Sequence, residues 1–386
     1  MWRYIAWRLV QIVVTFFLFV TVVFFLFQAM PGSYVDKFVM NPKIPPEVRQ
    51  QLAERLGITG PVWHQYLSYL RNLFTGNLGF SFEHYPRSVW SIIEERLPRT
   101  AILFFLGTLV AFSVGFPLGK YIAWRRGKIG DYFIVITGVL FYTIFTPLLA
   151  IILLFVFADR LGWFPTGGFI TPILWIRARS QGIQPQGVFI LLIATVLGLL
   201  TWWIVAKLIT RPIGHPRPRT LARRALVLAG ISAAVGGWWC SGLGVYAGDI
   251  VWHMILPLLA LTLISFGGTM LLMRNSMLEV IREDYITTAK AKGLPDKVVR
   301  DKHAARTALP PVVTSFVLSI GFVISGGIVT ETLFSWKGIG LTYLNAILQQ
   351  DWPLAMGCLV FTGILALFAH LVADVLYAFL DPRITY

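Results

Sequence analysis

The sequence predicts an all-α protein that crosses a membrane several times. Of its 386 residues, 56% are hydrophobic and only 13% are charged, whereas soluble domains carry about 25% charged residues. Long runs of Leu, Ile, Val, Phe, Ala and Gly alternate with short polar segments. Because a backbone in lipid must satisfy its own hydrogen bonds, each run is expected to be a helix.

Eight runs approach or exceed the roughly 20 residues that a helix needs to cross a bilayer. They cover approximately residues 9–30, 100–122, 132–157, 186–206, 225–247, 251–273, 311–331 and 355–378. The first run is longer than the 7–15 residues of a signal-peptide core, so we expect a retained membrane helix. Cys240 and Cys358 lie inside apolar runs, which favours packing roles over a disulfide or a metal site.

The distribution of charge predicts the orientation of the chain. The 33 Lys and Arg residues outnumber the 18 Asp and Glu residues, which gives a net charge of +15. With both termini in the cytoplasm, 21 of the 33 basic residues lie on the cytoplasmic side, as the positive-inside rule requires. Their spread over short loops argues against a nucleic-acid partner. One such loop, residues 207–224, is Pro-rich and is predicted to be a linker attracted to anionic lipid headgroups.

Residues 31–98 are predicted to form an extracytoplasmic segment with short helices. Pro45-Pro46 opens a helical pattern that stops at Gly57, with proline at the start and glycine at the end. A second stretch, residues 63–74, carries apolar side chains at helical spacing. The pattern leaves two roles open, a cap over the membrane helices and a docking site for a partner.

The basic loop, residues 274–310, is predicted to lie in the cytoplasm. Its pattern indicates a helix over 275–292, a stop at Gly293 and a second helix over 295–308. Pro310-Pro311 is expected to separate this hairpin from the next membrane span. A helical hairpin can fit a groove in a partner protein, and a solvated basic loop is the alternative that the spacing leaves open.

Motifs for catalysis, nucleotide binding and metal binding are missing from the sequence. The string nearest to the phosphate-binding loop G-x-x-x-x-G-K-[ST] runs from Gly115 to Lys120, but it is one residue short and lies in an apolar run. The six histidines are scattered without ligand spacing. The few carboxylates in the predicted spans, Glu331 and Asp374, lie near their ends, which argues against proton-coupled transport.

A long motif in the basic loop carries a family resemblance. Residues 284–311 read DYITTAKAKGLPDKVVRDKHAARTALPP. This string resembles the cytoplasmic loop of inner-membrane permeases in ATP-binding-cassette importers, above all in the peptide/nickel subgroup. That version runs D-Y-hydrophobic-x-T-A-x-A-K-G-L, then V, then H-A-x-R-x-A-L-x-P. The matching positions are Asp284, Tyr285, Thr288, Ala289, Ala291, Lys292, Gly293, Leu294, Val299, His303, Ala304, Arg306, Ala308, Leu309 and Pro311.

Three other segments are similar to motifs of the same family. GNLGFS at residues 76–81 resembles G-D-L-G-x-S, with Asn in place of Asp. ETLFSWKGIG at residues 331–340 resembles E-T-x-F-x-x-P-G-x-G, with Lys in place of Pro. The stretch 374–383 fits the family's C-terminal end. The exception is roughly residues 170–248, where two apolar runs are extra.

The resemblance implies a six-helix importer permease core with an inserted two-helix hairpin, about eight transmembrane helices in all, and cytoplasmic N- and C-termini. The implied segments are a first helix at 1–30, the extracytoplasmic segment 31–98, the second and third helices at 99–169, the inserted hairpin at 170–248, and the rest of the core at 249–386.

The resemblance also implies a transport subunit that is not an enzyme and binds no cofactor or metal. ATP and Mg would be bound by two partner ATPase subunits. The other implied partners are a second homologous permease subunit, an extracytoplasmic solute-binding protein and the lipid bilayer of a prokaryotic plasma (inner) membrane. Di- or oligopeptides are the implied substrates, with nickel complexes, glutathione or oligosaccharides as alternatives. A stand-alone secondary transporter and a membrane-embedded transferase are the alternatives of a different class.

Two sets of residues receive roles from the resemblance. The first set would contact the ATPase, and it consists of Asp284, Tyr285, Ala289, Ala291, Lys292, Gly293, Leu294, Lys297, His303, Arg306 and Pro311. The second set would dock the binding protein or form an outer gate, and it consists of Glu331, Phe334, Gly338 and Gly340.

Overall fold

The described chain consists of helices joined by turns and by two longer segments, residues 75–88 and 161–171. Its only extended pairing is a bridge between Phe80 and Ser88. The computed structural model describes residues 2–29, 61–210, 216–323 and 327–380, with side chains for all of these except 2–6, 216, 217, 219, 320–323 and 373–380. The predicted helix between Pro45 and Gly57 lies outside the described residues. Contacts divide the chain into two units, residues 1–160 with 256–386 and residues 161–255.

Fourteen numbered helices and three shorter helical segments follow one another along the described chain. The first nine helices are α1 Trp2–Gln28, α2 Val62–Phe74, α3 Val89–Trp124, α4 Ile129–Thr143, α5 Thr146–Leu153 with a π-helical continuation Leu154–Arg160, α6 Pro172–Ser180, α7 Pro185–Ile209, α8 Pro216–Cys240 and α9 Gly244–Val280. They are followed by α10 Asp284–Ala291, a helical turn Asp296–Val298, a π-helical segment Val299–Ala304, α11 Ala305–Val323, α12 Ile328–Leu333, α13 Ile339–Leu348 and α14 Trp352–Leu380.

Several helices are suited to cross a membrane. Within the described part of the chain, six helices are long and apolar enough, or seven if one bent pair counts as a single span. The six are Trp7–Gln28, Val89–Trp124, Pro185–Ile209, Thr220–Cys240, Gly244–Val280 and Trp352–Val372. The predicted span 311–331 overlaps α11 and also covers residues 324–326, which lie outside the described residues. An all-helical protein with several membrane spans is confirmed, whereas the count of eight stays a prediction.

The predicted span 132–157 is not one straight helix. It is divided into α4 and α5, which are bent by 104° relative to each other. Ile144 and Phe145 between them have extended backbones. Pro147 follows at the start of α5. Proline lacks an N–H, and its ring clashes with the carbonyl four residues earlier, so a continuous helix is disfavoured here.

Two further boundaries differ from the prediction. The runs 225–247 and 251–273 meet at residues 241–243, because α8 ends at Cys240 and α9 begins at Gly244. The Pro310-Pro311 pair also does not separate the loop from the next helix, since both prolines lie within α11. Membrane helices tolerate proline where neighbouring groups satisfy the freed backbone atoms.

The first unit contains a tight contact between α3 and α9. A Cβ atom added at Gly115 would lie 2.7 Å from the carbonyl oxygen of Phe266. One added at Gly119 would overlap the carbonyl oxygen of Met270. Glycine at a four-residue spacing allows two helix backbones to approach closely in a membrane. The string from Gly115 to Lys120, which partly resembles a phosphate-binding loop, therefore serves to pack two helices together.

The second unit contains the antiparallel helices α7 and α8. Trp202 Nε1 donates to the carbonyl of Leu226 at 2.8 Å, and Trp238 Nε1 donates to Thr195 Oγ1 at 3.2 Å. The earlier residue of α7, Thr195, contacts the later residue of α8, Trp238, and the later residue of α7, Trp202, contacts the earlier residue of α8, Leu226. This order is that of an antiparallel pair. Cys240 at the end of α8 is exposed, and it is a free thiol.

Candidate functional site

The basic loop forms a folded unit below the ends of α3 and α9. The predicted helix 275–292 is interrupted at residues 281–283, so that α9 ends at Val280 and α10 begins at Asp284. After α10, a turn at 292–295 leads into the π-helical segment and α11. Because α11 begins directly after the π-helical segment, the loop is joined to a long helix at each end.

The base of the loop is buried in an apolar cluster. Ile286 of α10, at 1% exposure, and Val299, at 0%, pack with Met273 and Met277 of α9. Ala123 near the end of α3 belongs to the same cluster. Burying a side chain the size of Ile contributes about 1.5–3 kcal/mol. The cluster therefore fixes the loop against two long helices.

The tip of the loop, residues 290–297, is exposed at every position. The turn at its centre is closed by the Gly293 N–H, which donates to the carbonyl of Lys290 at 2.9 Å. Gly293 has φ +74°, a left-handed conformation that glycine adopts without steric cost. A Cβ atom there would meet nothing within 4 Å. The predicted stop at Gly293 thus marks a turn, and space remains around it for a partner.

Ion pairs join the loop to α3. The Asp301 carboxylate accepts hydrogen bonds from Arg300 at 2.8 and 3.0 Å and lies 3.0 Å from Lys120 Nζ. The Arg300 guanidinium first, with a further contribution from Lys120, holds the pKa of the Asp301 carboxyl well below its usual range, although partial burial opposes this shift. Asp301 is therefore ionised at neutral pH.

A second ion pair joins α9 to α4 at residue 274, near the end of α9. Arg274 Nε and Nη2 each lie 3.2 Å from an oxygen of Asp131. The same carboxylate accepts the Gly127 N–H at 3.2 Å. Two parallel hydrogen bonds between guanidinium and carboxylate fix orientation as well as distance. The start of α4 thus cannot move freely relative to α9.

The other predicted loop residues are distributed along the same segment. Asp284, Tyr285, Ala291, Lys292, Leu294 and Lys297 are exposed, whereas Ala289 is buried in the apolar cluster. His303 is partly buried in the π-helical segment, and Arg306 and Pro311 are exposed on α11. The structure therefore gathers residues 284–297 into one hairpin, while His303 lies in the π-helical segment and Arg306 and Pro311 lie on α11.

Glu331 lies in a buried contact near the start of α13. It is 0% exposed, and its carboxylate accepts hydrogen bonds from Thr100 Oγ1 at 2.7 Å and from the Leu341 N–H at 2.9 Å. Leu341 belongs to the first turn of α13, where unpaired N–H groups and the helix dipole favour a negative charge. Glu331 therefore ties together α3, α12 and α13.

The rest of the predicted outer set surrounds this carboxylate. Phe334 is 1% exposed, and Cβ atoms at Gly338 and Gly340 would lie 2.5 and 3.2 Å from the Glu331 side chain. Glu331 and Phe334 are buried in this structure, and the contacts of Glu331 hold the α12–α13 hairpin against α3. A role of this set in docking the binding protein or in an outer gate stays a prediction.

Comparison with protein families identifies the chain. The family described as "Binding-protein-dependent transport system inner membrane component" matches residues 115–386. The N-terminal region of binding-protein-dependent transport system membrane components matches residues 1–104. The chain belongs to this family. The resemblance drawn from the loop motif is thereby confirmed.

Relatives of this permease cover nearly its whole length. The oligopeptide transport system permease protein AppB of Bacillus subtilis (strain 168) is 30% identical over 363 residues, which are 94% of this chain and 93% of AppB. The di/tripeptide transport system permease protein DppB of Pseudomonas aeruginosa is 30% identical over 384 residues, 100% of this chain and 99% of the relative. The dipeptide transport system permease protein DppB of Escherichia coli K12 gives the same identity and coverage.

Asp351 is a structural centre of the permease that the sequence analysis missed. It is 1% exposed and precedes α14. Its carboxylate accepts hydrogen bonds from the N–H groups of Phe82 at 3.0 Å and Glu83 at 3.1 Å, and also from Ser81 Oγ. The motif at residues 76–81 is thus fixed to the start of α14. The sequence analysis identified the motif that ends at Ser81, but it did not identify Asp351 as the partner of that motif.

Proposed function

We propose that this chain is a transmembrane subunit of an ATP-driven, binding-protein-dependent importer of di- or oligopeptides. It forms half of the translocation pore with a second, homologous permease. Two separate ATPase subunits bind ATP and Mg, and an extracytoplasmic protein delivers the solute. The names and full-length coverage of the peptide permeases above support peptide as the substrate class.

We propose that the loop couples ATP hydrolysis by the partner ATPases to movement of the pore. Its base is buried among α3, α9 and α11, while its tip at 290–297 is exposed at every residue. A surface of this kind suits a groove in a partner protein. We assign the ATPase contact to this tip and call residues 284–311 the coupling loop.

Movement of the coupling loop is transmitted by its contacts with the membrane helices. The Asp301–Lys120 pair connects it to α3, and the Arg274–Asp131 pair connects the end of α9 to α4. A packed core has discrete arrangements and deforms little between them. Closure of the ATPases would therefore rotate groups of helices as rigid bodies and switch the pore from inward-facing to outward-facing.

The proposed membrane topology has eight spans with both termini in the cytoplasm of a prokaryotic cell. This orientation places the coupling loop on the ATP-containing side, and the charge distribution of the sequence supports it. Residues 31–98 and the α12–α13 hairpin then lie on the outer side. We assign docking of the binding protein to the segment 31–98, and an outer gate to the hairpin that Glu331 holds in place.

Substitutions at Gly293 test the coupling role. The permease is reconstituted in liposomes with its ATPases and binding protein, and ATP-dependent peptide uptake is measured. Because φ +74° is strongly disfavoured for a β-branched residue, Gly293→Val is expected to reduce uptake about 5- to 30-fold, corresponding to the roughly 1–2 kcal/mol cost of a left-handed residue. Gly293→Asp is expected to uncouple hydrolysis from uptake by adding a carboxylate to the tip.

Gly293→Asn is the matched control for both substitutions. Asparagine tolerates the left-handed conformation and adds no charge, so uptake should stay near that of the wild type. All variants should insert into the membrane in equal amounts, because the tip lies outside the apolar helices. Full uptake by Gly293→Val and Gly293→Asp would refute the coupling role. Uptake by this chain alone under an ion gradient would favour a secondary transporter.

A further inference from the structure

A recess of about 320 Å³ lies between the coupling loop and the ends of α3 and α9. Three cations line it, Arg126 after α3, Arg282 after α9 and Lys290 on α10, and they face a single lining carboxylate, Asp296. In the described part of the chain, neither Arg126 nor Arg282 lies within salt-bridge distance of a carboxylate. Arg126 does interact at longer range with Asp131, which Arg274 already pairs. The lining therefore has an excess of positive charge.

Part of the lining is apolar. This part is formed by Trp124, Leu278 and Ile281, with Ala123 beside them. The Lys290 ammonium lies 5.1 Å from the centre of the Trp124 ring, which is a cation–π distance. A soluble anion would interact only with the cations of such a site. An amphiphile would interact with the cations through its charged group and with the apolar side chains through its hydrocarbon part.

The recess lies just beyond the ends, at Trp124 and Val280, of two helices that are suited to cross the membrane. The predicted span 100–122 ends four residues before Arg126, so this side of the recess is expected close to the lipid headgroups. Tryptophan is enriched at the level of lipid headgroups, and basic residues next to membrane helices attract anionic lipids. The ligand chemistry indicated here is thus a phosphate attached to an apolar chain.

We propose that this recess binds the phosphate of an anionic phospholipid headgroup, with Arg126 and Arg282 as the principal ligands. Lys290 and Asp296 lie on the exposed tip, so a bound headgroup would contact the same segment that we assign to the ATPase. The lipid binding does not depend on the proposed transport function; only its effect on coupling rests on that function.

Lipid binding by the purified full-length chain tests the proposal without any ATPase. The delipidated protein is titrated with phosphatidylglycerol or phosphatidylcholine, and bound lipid is counted by native mass spectrometry. The wild type should hold one phosphatidylglycerol in preference to phosphatidylcholine. Each basic residue near an anionic surface strengthens binding about fivefold, so Arg126→Gln with Arg282→Gln should weaken this binding about 30-fold.

The matched control removes two positive charges as well, both from the turn after α3 that also holds Arg126. Arg125 and Lys128 are exposed and do not line the recess; Arg125 instead lies over the Tyr121 ring at 4.6 Å. Arg125→Gln with Lys128→Gln should leave the tight phosphatidylglycerol site unchanged. Equal losses in the two double variants would overturn the proposal, because they would show only general attraction between charges.

Two further arms separate the lipid from other anions. Millimolar inorganic phosphate should not displace the bound phosphatidylglycerol, and displacement would identify free phosphate as the ligand. Capture of the ATPase should be similar for both double variants in neutral detergent. If only Arg126→Gln with Arg282→Gln lost the ATPase while lipid binding stayed intact, the recess would belong to the protein interface and the proposal would fail. Thermal denaturation of each variant confirms that it is folded.

Discussion

Replacing Gly119 by alanine tests the close contact between α3 and α9. The added Cβ atom would overlap the carbonyl oxygen of Met270 and lie 2.8 Å from the Met273 Cβ. Both neighbouring atoms are fixed to the α9 backbone, so they cannot turn aside as the end of a long side chain could. Ordinary contacts between carbon and a carbonyl oxygen are about 3.3–3.6 Å. The two helices must therefore separate by at least about half an ångström.

The expected cost follows from a matched substitution in an open position. Gly198 lies inside α7, and a Cβ atom there meets nothing within 4 Å. Gly198→Ala should therefore show only the gain in helix propensity, up to about 1 kcal/mol. Gly119→Ala gains the same propensity but is destabilised by overpacking, typically by about 1–3 kcal/mol. The difference in free energy of unfolding between the two variants therefore gives the cost of the steric overlap alone. A cost of about 1–3 kcal/mol corresponds to a change of about 5- to 150-fold in the folding equilibrium constant.

Reversible unfolding in mixed detergent micelles, followed by tryptophan fluorescence, measures this difference. The free energy of unfolding should be lower for Gly119→Ala than for Gly198→Ala by an amount in the stated range. Gly115→Ala should fall between them, because its nearest backbone oxygen is farther away, at 2.7 Å. Equal stability of Gly119→Ala and Gly198→Ala would refute the argument that glycine is needed for this helix contact.

Three other predictions concern the contacts around the loop and the outer hairpin. Glu331→Gln should lower the free energy of unfolding by about 1–3 kcal/mol, because an amide cannot accept both hydrogen bonds; an unchanged thermal denaturation midpoint would contradict this. Ile286→Ala leaves a cavity that costs about 2–5 kcal/mol, so limited proteolysis should cut the loop tip faster than in the wild type, and equal rates would count against a buried anchor. Asp301→Asn should cost at most about 1 kcal/mol, since the pair is partly exposed. Because the folded pKa of Asp301 is lowered, this contribution is present above its ordinary pKa near 4 and is lost as the pH falls through the lowered value; a loss above pH 6 would contradict the assignment.

Membrane spans were predictable because lipid imposes a long apolar run on every spanning helix. Their ends and breaks were less predictable, since a turn inside an apolar region can have the composition of the helix beside it. The division at Ile144 and Phe145 is an example: both residues are apolar, and only Pro147 indicates a break. The turn between Cys240 and Gly244 was equally hard to predict. Gly is common in membrane helices, so the glycines here do not by themselves indicate a break.

Local features of the coupling loop were also predictable. Gly293 was identified as a helix stop, and it has a left-handed backbone at the end of α10. The contacts that hold the loop in place were not predictable, because they join residues far apart in sequence. Asp131 and Arg274, for instance, are brought together only when α4 packs beside α9. A single sequence supplies the charges but not their partners.

The buried position of Glu331 was not predictable from its motif. The resemblance placed this carboxylate in a set that would dock the binding protein or form an outer gate, but a single sequence does not show which groups surround the side chain. In the structure, Thr100 and the first turn of α13 supply hydrogen bonds to the side-chain oxygens of Glu331 inside the protein. A hairpin held in this way would move with α3, which also contacts the coupling loop through Lys120. The helix α3 therefore connects the proposed ATPase contact with the proposed outer gate. A displacement of one end of α3 would be transmitted along this helix to its other end.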